Sequence, residues 1–310
     1  MSYTLHITNG DSLTSKLREL DIAGEIITWR EMLCEGKTLN HVGSEKFWRQ
    51  RYEFLSQSYK VTKNTFIDFT LKEYRKLCNH KSQNEIILWF EPDLFCQINQ
   101  IAVLSWIKNH RKDLHISVVN AVKEDGAEKF FQLSSLSGEQ LKELYDDRIS
   151  LERDDIEYAD YIWQLYCENN PFQLQQAIKL NKSKLHYLSK AMEAHLRRFP
   201  SVNTGMNELE YSMLQSAYQE KHKSRNQLIT SMLNNQGIYG FGDVQFEHMS
   251  KKLRPLFRTF NPVKLTRMGK SVMEDNLNVY SQLKNDNEYF GGTPKYSFLF
   301  INETSRLLKM

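Results

Sequence analysis

The 310-residue sequence lacks the short motifs that mark the commonest nucleotide-binding and hydrolytic sites. It contains no GxGxxG, no GxxxxGK[ST] and no GxSxG, which excludes the dinucleotide fingerprint, the P-loop and the serine nucleophile elbow. Cysteine is also scarce: the four cysteines, Cys34, Cys78, Cys96 and Cys167, form no CxxC pair and no metal-ligand spacing. The sequence therefore predicts reduced thiols, with neither a disulfide scaffold nor a zinc ribbon.

Long hydrophobic runs and a strong net charge are missing as well. No segment approaches 18 apolar residues, and the N-terminal residues do not resemble a signal peptide. Lys and Arg outnumber Asp and Glu by 41 to 38, an excess too small to indicate a nucleic-acid partner by itself. Apolar residues make up 40% of the chain, which is enough for a sizeable core. We expect a soluble, cytoplasmic protein with no membrane partner.

The first part of the chain, residues 1–135, has the pattern of a Rossmann-like α/β domain. Apolar runs predict strands at 3–8, 25–29, 85–90 and 114–119, and residues spaced three and four apart predict helices between them. Strands that alternate with helices are typical of a mainly parallel sheet covered by helices. The predicted fold class is therefore α/β.

The rest of the chain reads differently. Residues 136–200 show no strand signal and are interpreted as a helical connector. Residues 201–310 predict three helices followed by a pair of strands, which is the order of a winged-helix unit. We therefore expect a winged-helix-like C-terminal domain.

Polar side chains follow three of the predicted strands. In an open parallel sheet the carboxyl ends of the strands form the ligand crevice, so these residues are the candidates for a site. Those expected to take part in chemistry are His6, Asp11, Glu31 and Asp93. Those expected to bind a ligand are Asn9, Gly10, Ser12, Trp29, Arg30, Gly36 and Gln97.

The residue types in this group indicate a small anionic ligand, such as a nucleotide or a phosphorylated metabolite. Asn9, Gly10 and Ser12 would hold the anion at the start of the next helix, and Arg30 would neutralise it. The carboxylates would carry a proton or hold Mg²⁺, the chemistry of a hydrolase or a transferase. A plainer interpretation is also open, in which NGDS is a turn with a helix cap and His6 and Trp29 are core residues.

Three stretches resemble the bacterial domain of unknown function 1835 family: "LHITNGDS", "GEIITWREMLCEG" and "LWFEPDLFCQINQIAVLSW". "HLRRFPSVNTGMNELEYSML", "KLTRMGKSVM" and "YFGG" are similar to the C-terminal domain that usually accompanies it. Pro92 stands where members commonly carry a histidine or another polar residue. The resemblance implies an architecture and the same strand-end residues, and it implies no particular activity.

The alternative function rests on the C-terminal region. Between Glu220 and Lys270 there are ten basic and three acidic residues. A basic winged-helix unit would suit a phosphate backbone, and the candidates for this contact are Lys251, Lys252, Arg254, Lys264 and Arg267. The chain would then be a ligand-responsive regulator that binds DNA or a protein. Asp243 and Glu247 in the third predicted helix oppose phosphate contact, and a solvated basic face or a structural scaffold remains a further alternative.

Overall fold

The computed structural model describes residues 4–79, 83–111, 114–119 and 132–310. The strands in these ranges are β1 Thr4–Asn9, β2 Glu25–Trp29, β3 Gly36–Lys37, β4 Glu85–Trp89, β5 His115–Val119, β6 Ile149–Leu151, β7 Phe257–Phe260, β8 Val263–Leu265, β9 Tyr289–Gly291, β10 Thr293–Pro294, β11 Phe298–Ile301 and β12 Arg306–Lys309. Tyr3, which the sequence places in the first strand, lies outside the described residues.

The α-helices in the same ranges are α1 Asp11–Glu19, α2 Glu45–Tyr59, α3 Lys63–Phe66, α4 Lys72–Asn79, α5 Leu94–His110, α6 Gly138–Asp146, α7 Arg153–Cys167, α8 Pro171–Ala177, α9 Leu188–Leu196, α10 Glu208–Gln219, α11 Arg225–Asn235, α12 Asp243–Lys252, α13 Arg267–Glu274 and α14 Tyr280–Leu283. A π-helical turn, Ile67–Leu71, joins α3 to α4. None of the helices in the described part of the chain has the length and apolar character that crossing a membrane requires.

A five-stranded sheet in the order β2-β1-β4-β5-β6 forms the centre of the N-terminal part. The first four strands in this order run parallel, and β6 runs antiparallel to β5. This confirms the expected mixed α/β class with a mainly parallel sheet. The chain leaves β1 towards β2 on one side and returns to β4 on the other, so the strand order reverses between β1 and β4. Such a reversal is where open α/β sheets bind ligands.

The two faces of this sheet carry different apolar clusters, because successive strand residues point to opposite sides. On β4, Ile86 and Leu88 belong to the large core that contains α5. Ile87 and Trp89 belong to a smaller cluster that contains residues of α1 and α6. α5 is buried from Leu94 to Ile107 except at Phe95, which explains why its sequence shows little amphipathic contrast.

The connector contains a strand that the sequence analysis did not predict. β6 has three residues and pairs with Ile116 to Val118 at the edge of the sheet. A run this short gives no recognisable alternation, so the prediction that residues 136–200 are purely helical is wrong at Ile149–Leu151.

The C-terminal part packs against the N-terminal part through a second sheet. β3, from the loop after β2, pairs in parallel with β9, so that Gly36 lies opposite Phe290. The large core is a single cluster of contacting residues that ranges from Leu5 to Leu307, so it contains residues of all three predicted segments. The order α10, α11, α12 and a β7–β8 hairpin agrees with the expected order of elements, while the winged-helix assignment stays a prediction.

Candidate functional site

The turn between β1 and α1 lies at the point where the strand order reverses. Gly10 has φ 95° and ψ 166°, a conformation that is essentially confined to glycine. Its amide donates to the carbonyl of Trp29 (3.3 Å), and a side chain at this position would meet no atom of the described residues within 4 Å. No side chain in the described part of the chain caps the start of α1. The first-turn amides around Asp11 and Ser12, which are both exposed residues, therefore have no side-chain acceptor among the described residues and favour an anion.

Arg30 lies next to this turn and holds Asp11. The guanidinium donates from Nη2 to Oδ1 (2.6 Å) and from Nε to Oδ2 (3.0 Å), and its Nη1 donates to the carbonyl of Phe69 (2.9 Å). The bonds from Arg30 lower the pKa of Asp11. The Asp11 side chain is 62% exposed and that of Arg30 is 20% exposed, so an incoming anion can reach this ion pair from solvent.

The turn between β4 and α5 is built in the opposite way. Asp93 caps α5, because its Oδ1 accepts from the amide of Cys96 (2.8 Å). The side chain of Gln97 donates to the carbonyl of Glu91 (3.0 Å) and fixes the strand end. Gly240 packs directly on the Asp93 carboxylate, and a side chain there would collide with it. This turn is covered by protein, and its helix start already has an acceptor.

Glu91 and Asp93 form an acidic pair with Cys96 beside them. Burial raises the pKa of Glu91 to about 7, the charge of Asp93 adds to the increase, and a bond from the Leu133 amide (2.9 Å) opposes it. Burial also raises the pKa of Asp93, against the hydrogen bonds of its cap. Glu91 can therefore gain or lose a proton near neutral pH, as a general acid or base must.

Asn9 connects the two turns. Its Nδ2 lies 3.1 Å from Sγ of Cys96, and its Oδ1 accepts from Nδ2 of Asn99 (2.7 Å). Asn99 in turn donates to the carbonyl of Glu31 (2.5 Å) and accepts from the amide of Leu33 (3.2 Å). The loops after all three strands are thus tied together through two asparagine side chains.

The carboxylates proposed for Mg²⁺ do not converge. One carboxylate oxygen each from Glu91 and Asp93 and the Sγ of Cys96 lie within 4.8 Å of one another, and neither Asp11 nor Glu31 belongs to this group. Two carboxylates suit Mg²⁺, which keeps several waters, whereas a thiol is a soft ligand that Mg²⁺ avoids. Asp93 alone among the three predicted carboxylates is placed where it could take part.

The side chain of Glu31 and the backbone of Gly36 support the loop that leads to β3. Glu31 is 1% exposed, and its Oε2 accepts from Nε of Arg51 (2.8 Å). Arg51 also donates to the carbonyls of Met32 (3.0 Å) and Glu35 (2.7 Å), so this buried pair holds the loop that leads to β3. Gly36 has φ 73° and faces the ring of Phe54. Both residues position the loop and lie outside the crevice.

His6 and Trp29 are core residues. Nδ1 of His6 accepts from the indole of Trp89 (3.1 Å), which leaves Nε2 to donate to the carbonyl of Ala23 (3.2 Å). Burial lowers the pKa of His6, so it is neutral at pH 7. Trp29 is 4% exposed and packs against Trp48 with 6.2 Å between ring centroids. Both side chains therefore have the buried environment expected from the plainer interpretation, in which His6 and Trp29 are core residues.

The basic residues of the C-terminal part are dispersed. Lys251 pairs with Glu247 (2.9 Å) and Lys252 with Glu288 (3.3 Å). Arg254 donates to the carbonyl of Phe257. Lys264 and Arg267 are exposed.

The helix that would enter a DNA groove is largely covered. On α12, Gln245 contacts Sδ of Met32 (3.7 Å), and the ring of His248 lies 5.1 Å from that of Tyr59. The exposed residues of α12 are Asp243, Val244 and Lys251. This surface carries one acid and one base, which gives a phosphate backbone little to bind.

Several residues that build the site or position the loop beside it were not among the predicted ones: Arg51, Cys96, Asn99 and Gly240. Arg51 and Asn99 lie inside helices, where a single sequence does not show which polar side chain turns inward. The closely spaced glycines in "GIYGFG" were the one available signal, since such a run permits a close backbone approach.

Comparisons with known proteins leave the family open. No protein-family model matches the chain, and no curated protein matches it. Among solved structures it is similar to the Plasmodium falciparum topoisomerase II DNA-binding, cleavage and re-ligation domain, with 13% identity and a TM-score of 0.44. The match covers 84% of this chain and 42% of that chain, so this chain spans less than half of that domain. A likeness at this level assigns neither a fold family nor an activity.

Proposed function

We propose that the N-terminal part binds a small anionic ligand, a nucleotide or a phosphorylated metabolite, at the turn between β1 and α1. The observation that carries this proposal is a helix start with no side-chain cap among the described residues, behind a glycine whose Cβ position no described atom approaches within 4 Å, with Arg30 alongside. Free amides at a helix N-terminus and an arginine are the usual donors to phosphate oxygens. The proposal keeps Asn9, Gly10, Ser12 and Arg30 as binding residues.

Glu91 supports hydrolase or transferase chemistry as the class of reaction. Its pKa of about 7 lets it move a proton at neutral pH, and the link from Asn9 to Cys96 brings its turn next to the anion site. Asp11 has a different part in this scheme. It occupies Arg30 in the ligand-free protein and gives the guanidinium up when the anion binds.

The test is a thermal-shift titration with inorganic phosphate, sugar phosphates and ATP, because a ligand of the native state raises the melting temperature. Arg30→Gln removes a charge-assisted contact and should weaken binding about tenfold. Asp11→Asn frees Arg30 and should strengthen binding. If the ion pair were purely structural, substituting its two partners would not change ligand affinity in opposite directions.

Arg153→Gln is the matched control, since Arg153 is an exposed arginine paired with Glu157. Arg153 follows the antiparallel strand β6 and so lies at the opposite end of the sheet from the turn between β1 and α1. This variant should leave every shift unchanged. The proposal fails if none of the anions raises the melting temperature, or if Arg153→Gln weakens binding as much as Arg30→Gln does.

The second candidate function is a regulator that binds DNA or a protein through a winged-helix-like C-terminal unit. One observation favours it: the amide of Val263 in β8 donates to the carbonyl of His222 between α10 and α11 (3.0 Å). One hydrogen bond thus joins the two-stranded hairpin to the segment between α10 and α11, which is where a winged helix carries its third strand. Because α12 is covered, the contact would use exposed residues of the hairpin side, Lys264 and Arg267.

A mobility-shift titration at several salt concentrations tests this candidate. The double variant Lys264→Gln, Arg267→Gln should weaken DNA binding and reduce its salt slope by about two. Lys251→Gln, in which the lysine is already paired with Glu247, should matter less. The resemblance to the domain of unknown function 1835 family also stays a proposal, and its motifs fall on the same strand ends.

A further inference from the structure

A small cavity lies where the N-terminal and C-terminal parts of the chain meet. Its walls come from the loop before β3, the residue Arg198 just after α9, the inner face of α12 and the segment around β9. The cavity measures about 30 Å³. This is room for about two water molecules, so it fits a group of the size of a carboxylate. It is separate from the anion site proposed above.

Most of the charges that line the cavity neutralise one another. Lys295 is 1% exposed, and its ammonium donates to Glu210 and to Glu288 (3.2 Å). Glu288 also pairs with Lys252 (3.3 Å). These four side chains form one network in which each charge has an opposite neighbour. They explain the polarity of the walls, and they leave no charge that needs a ligand.

Arg198 is the exception among the cations. It is 2% exposed, its Nη2 donates to the carbonyl of Cys34, and its guanidinium lies 4.0 Å from the ring centroid of Phe290. Its Nη1 is buried and has no hydrogen-bond partner among the described residues, and no described carboxylate forms an ion pair with it. A buried charge in this state is costly, and each such group requires an explanation.

Glu35 is the exception among the acids. Its carboxylate accepts from the hydroxyl of Tyr59, and within the described ranges no lysine or arginine pairs with it. It follows Cys34 directly in the chain, so it lies beside the carbonyl that binds Arg198. The walls of the cavity thus carry two charges of opposite sign, on Arg198 and Glu35, and neither forms an ion pair with another described residue.

We propose that this cavity binds the head group of a small zwitterion of the α-amino-acid class, with the carboxylate on Arg198 and the protonated amine on Glu35. A simple anion would pair with Arg198 but would be repelled by the carboxylate of Glu35. A simple cation would pair with Glu35 but would be repelled by Arg198. The cavity takes the carboxylate only, so the amine and any side chain lie at its opening, where Glu35, His248 and Lys252 are partly exposed. Such a ligand would join the loop before β3 to α12 and β9.

The experiment is a thermal-shift titration of the full chain with glycine, with acetate and methylammonium as probes that carry only one of the two charges. Glycine should give a saturable rise in melting temperature, and each single-charge probe should bind at least about tenfold more weakly. Every titration is made at constant ionic strength. High glycine concentrations also stabilise proteins that have no binding site, because glycine is excluded from the protein surface. The variants described next therefore distinguish binding in the cavity from this general effect.

Glu35→Gln keeps an oxygen acceptor for Tyr59 and should weaken glycine binding about tenfold. Glu208→Gln is the matched control, because Glu208 also accepts from a tyrosine, Tyr239, and does not line the cavity. It should bind glycine as the unchanged protein does. Arg198→Gln should abolish binding, and circular dichroism shows whether that variant still folds.

Three results would overturn the proposal: no saturable shift with glycine, an equal shift with acetate, or an unchanged glycine affinity in Glu35→Gln. None of these depends on the phosphate titrations, so this proposal and the proposed function can fail separately.

Discussion

The two βα turns at the strand-order reversal hold equivalent places in the sheet and are built in opposite ways. After β1, a glycine leads into a helix whose start has no cap, and Asp11 and Arg30 face solvent. After β4, Asp93 caps the helix from a covered position under Gly240. The topology supplies a helix N-terminus twice. The local residues leave the first helix start uncapped and exposed, and they cover the second, which holds acids of raised pKa.

The largest effect on stability is expected from a side chain added at Gly240, which covers the turn between β4 and α5. Gly240→Ala should cost about 2–4 kcal/mol in the free energy of unfolding, because it adds a collision with Asp93 to the strain of a left-handed residue. Gly237 has φ +63°, close to the +67° of Gly240, but no described atom lies within 4 Å of a Cβ built there. Gly237→Ala should therefore cost only about 1–2 kcal/mol. Equal losses in urea denaturation would show that the second turn is not closely covered.

The second effect concerns the pH dependence that the buried acid creates. Glu91 has a pKa of about 7 in the folded protein, above its usual value of 4.5, so the folded state binds the extra proton between these two pH values. Stability gained from this residue is present at low pH and is lost as the pH rises from 4.5 to about 7. Glu91→Gln should remove this loss and be more stable at pH 8 by about 1–2 kcal/mol.

Urea denaturation of both proteins at pH 5 and pH 8 measures this difference. Glu157→Gln is the control, since Glu157 is a partly exposed acid on α7. If Glu91→Gln loses as much stability between the two pH values as the unchanged protein, Glu91 does not titrate in the way that its burial implies.

The smallest effects compare the two aspartates directly. Asp93→Ala removes a helix cap and should cost about 1 kcal/mol. Asp11→Ala breaks an exposed ion pair and should change stability by no more than about 0.5 kcal/mol. Chemical denaturation at pH 7 checks both. A larger loss for Asp11→Ala would reverse the comparison between the turns.

The sequence predicted the parts of the fold that rest on hydrophobic periodicity. β1, β2, β4 and β5 each have five or six residues with clear apolar runs, and all four lie where they were expected. β3, β6 and β9 have two or three residues each. Their pairing depends on partners far away in the chain, as between Gly36 and Phe290, and such contacts leave no local pattern.

The candidate site was predicted in part for a similar reason. Strand ends are visible in a sequence, so Asn9, Gly10, Asp11 and Arg30 could be found and are brought together. Burial of a polar side chain is not visible. Glu31 looked like an accessible acid because nothing near it in the sequence points to Arg51, which turns inward from α2 to pair with it.

The most direct test of the central claim is a titration of ¹⁵N-labelled protein with inorganic phosphate, followed by two-dimensional NMR. We predict that the largest shifts fall on the amides of Asp11, Ser12 and Leu13 in the first turn of α1, and that the amides at the start of α5 stay in place. Shifts concentrated at the start of α5, or no saturable shift at α1, would contradict the account.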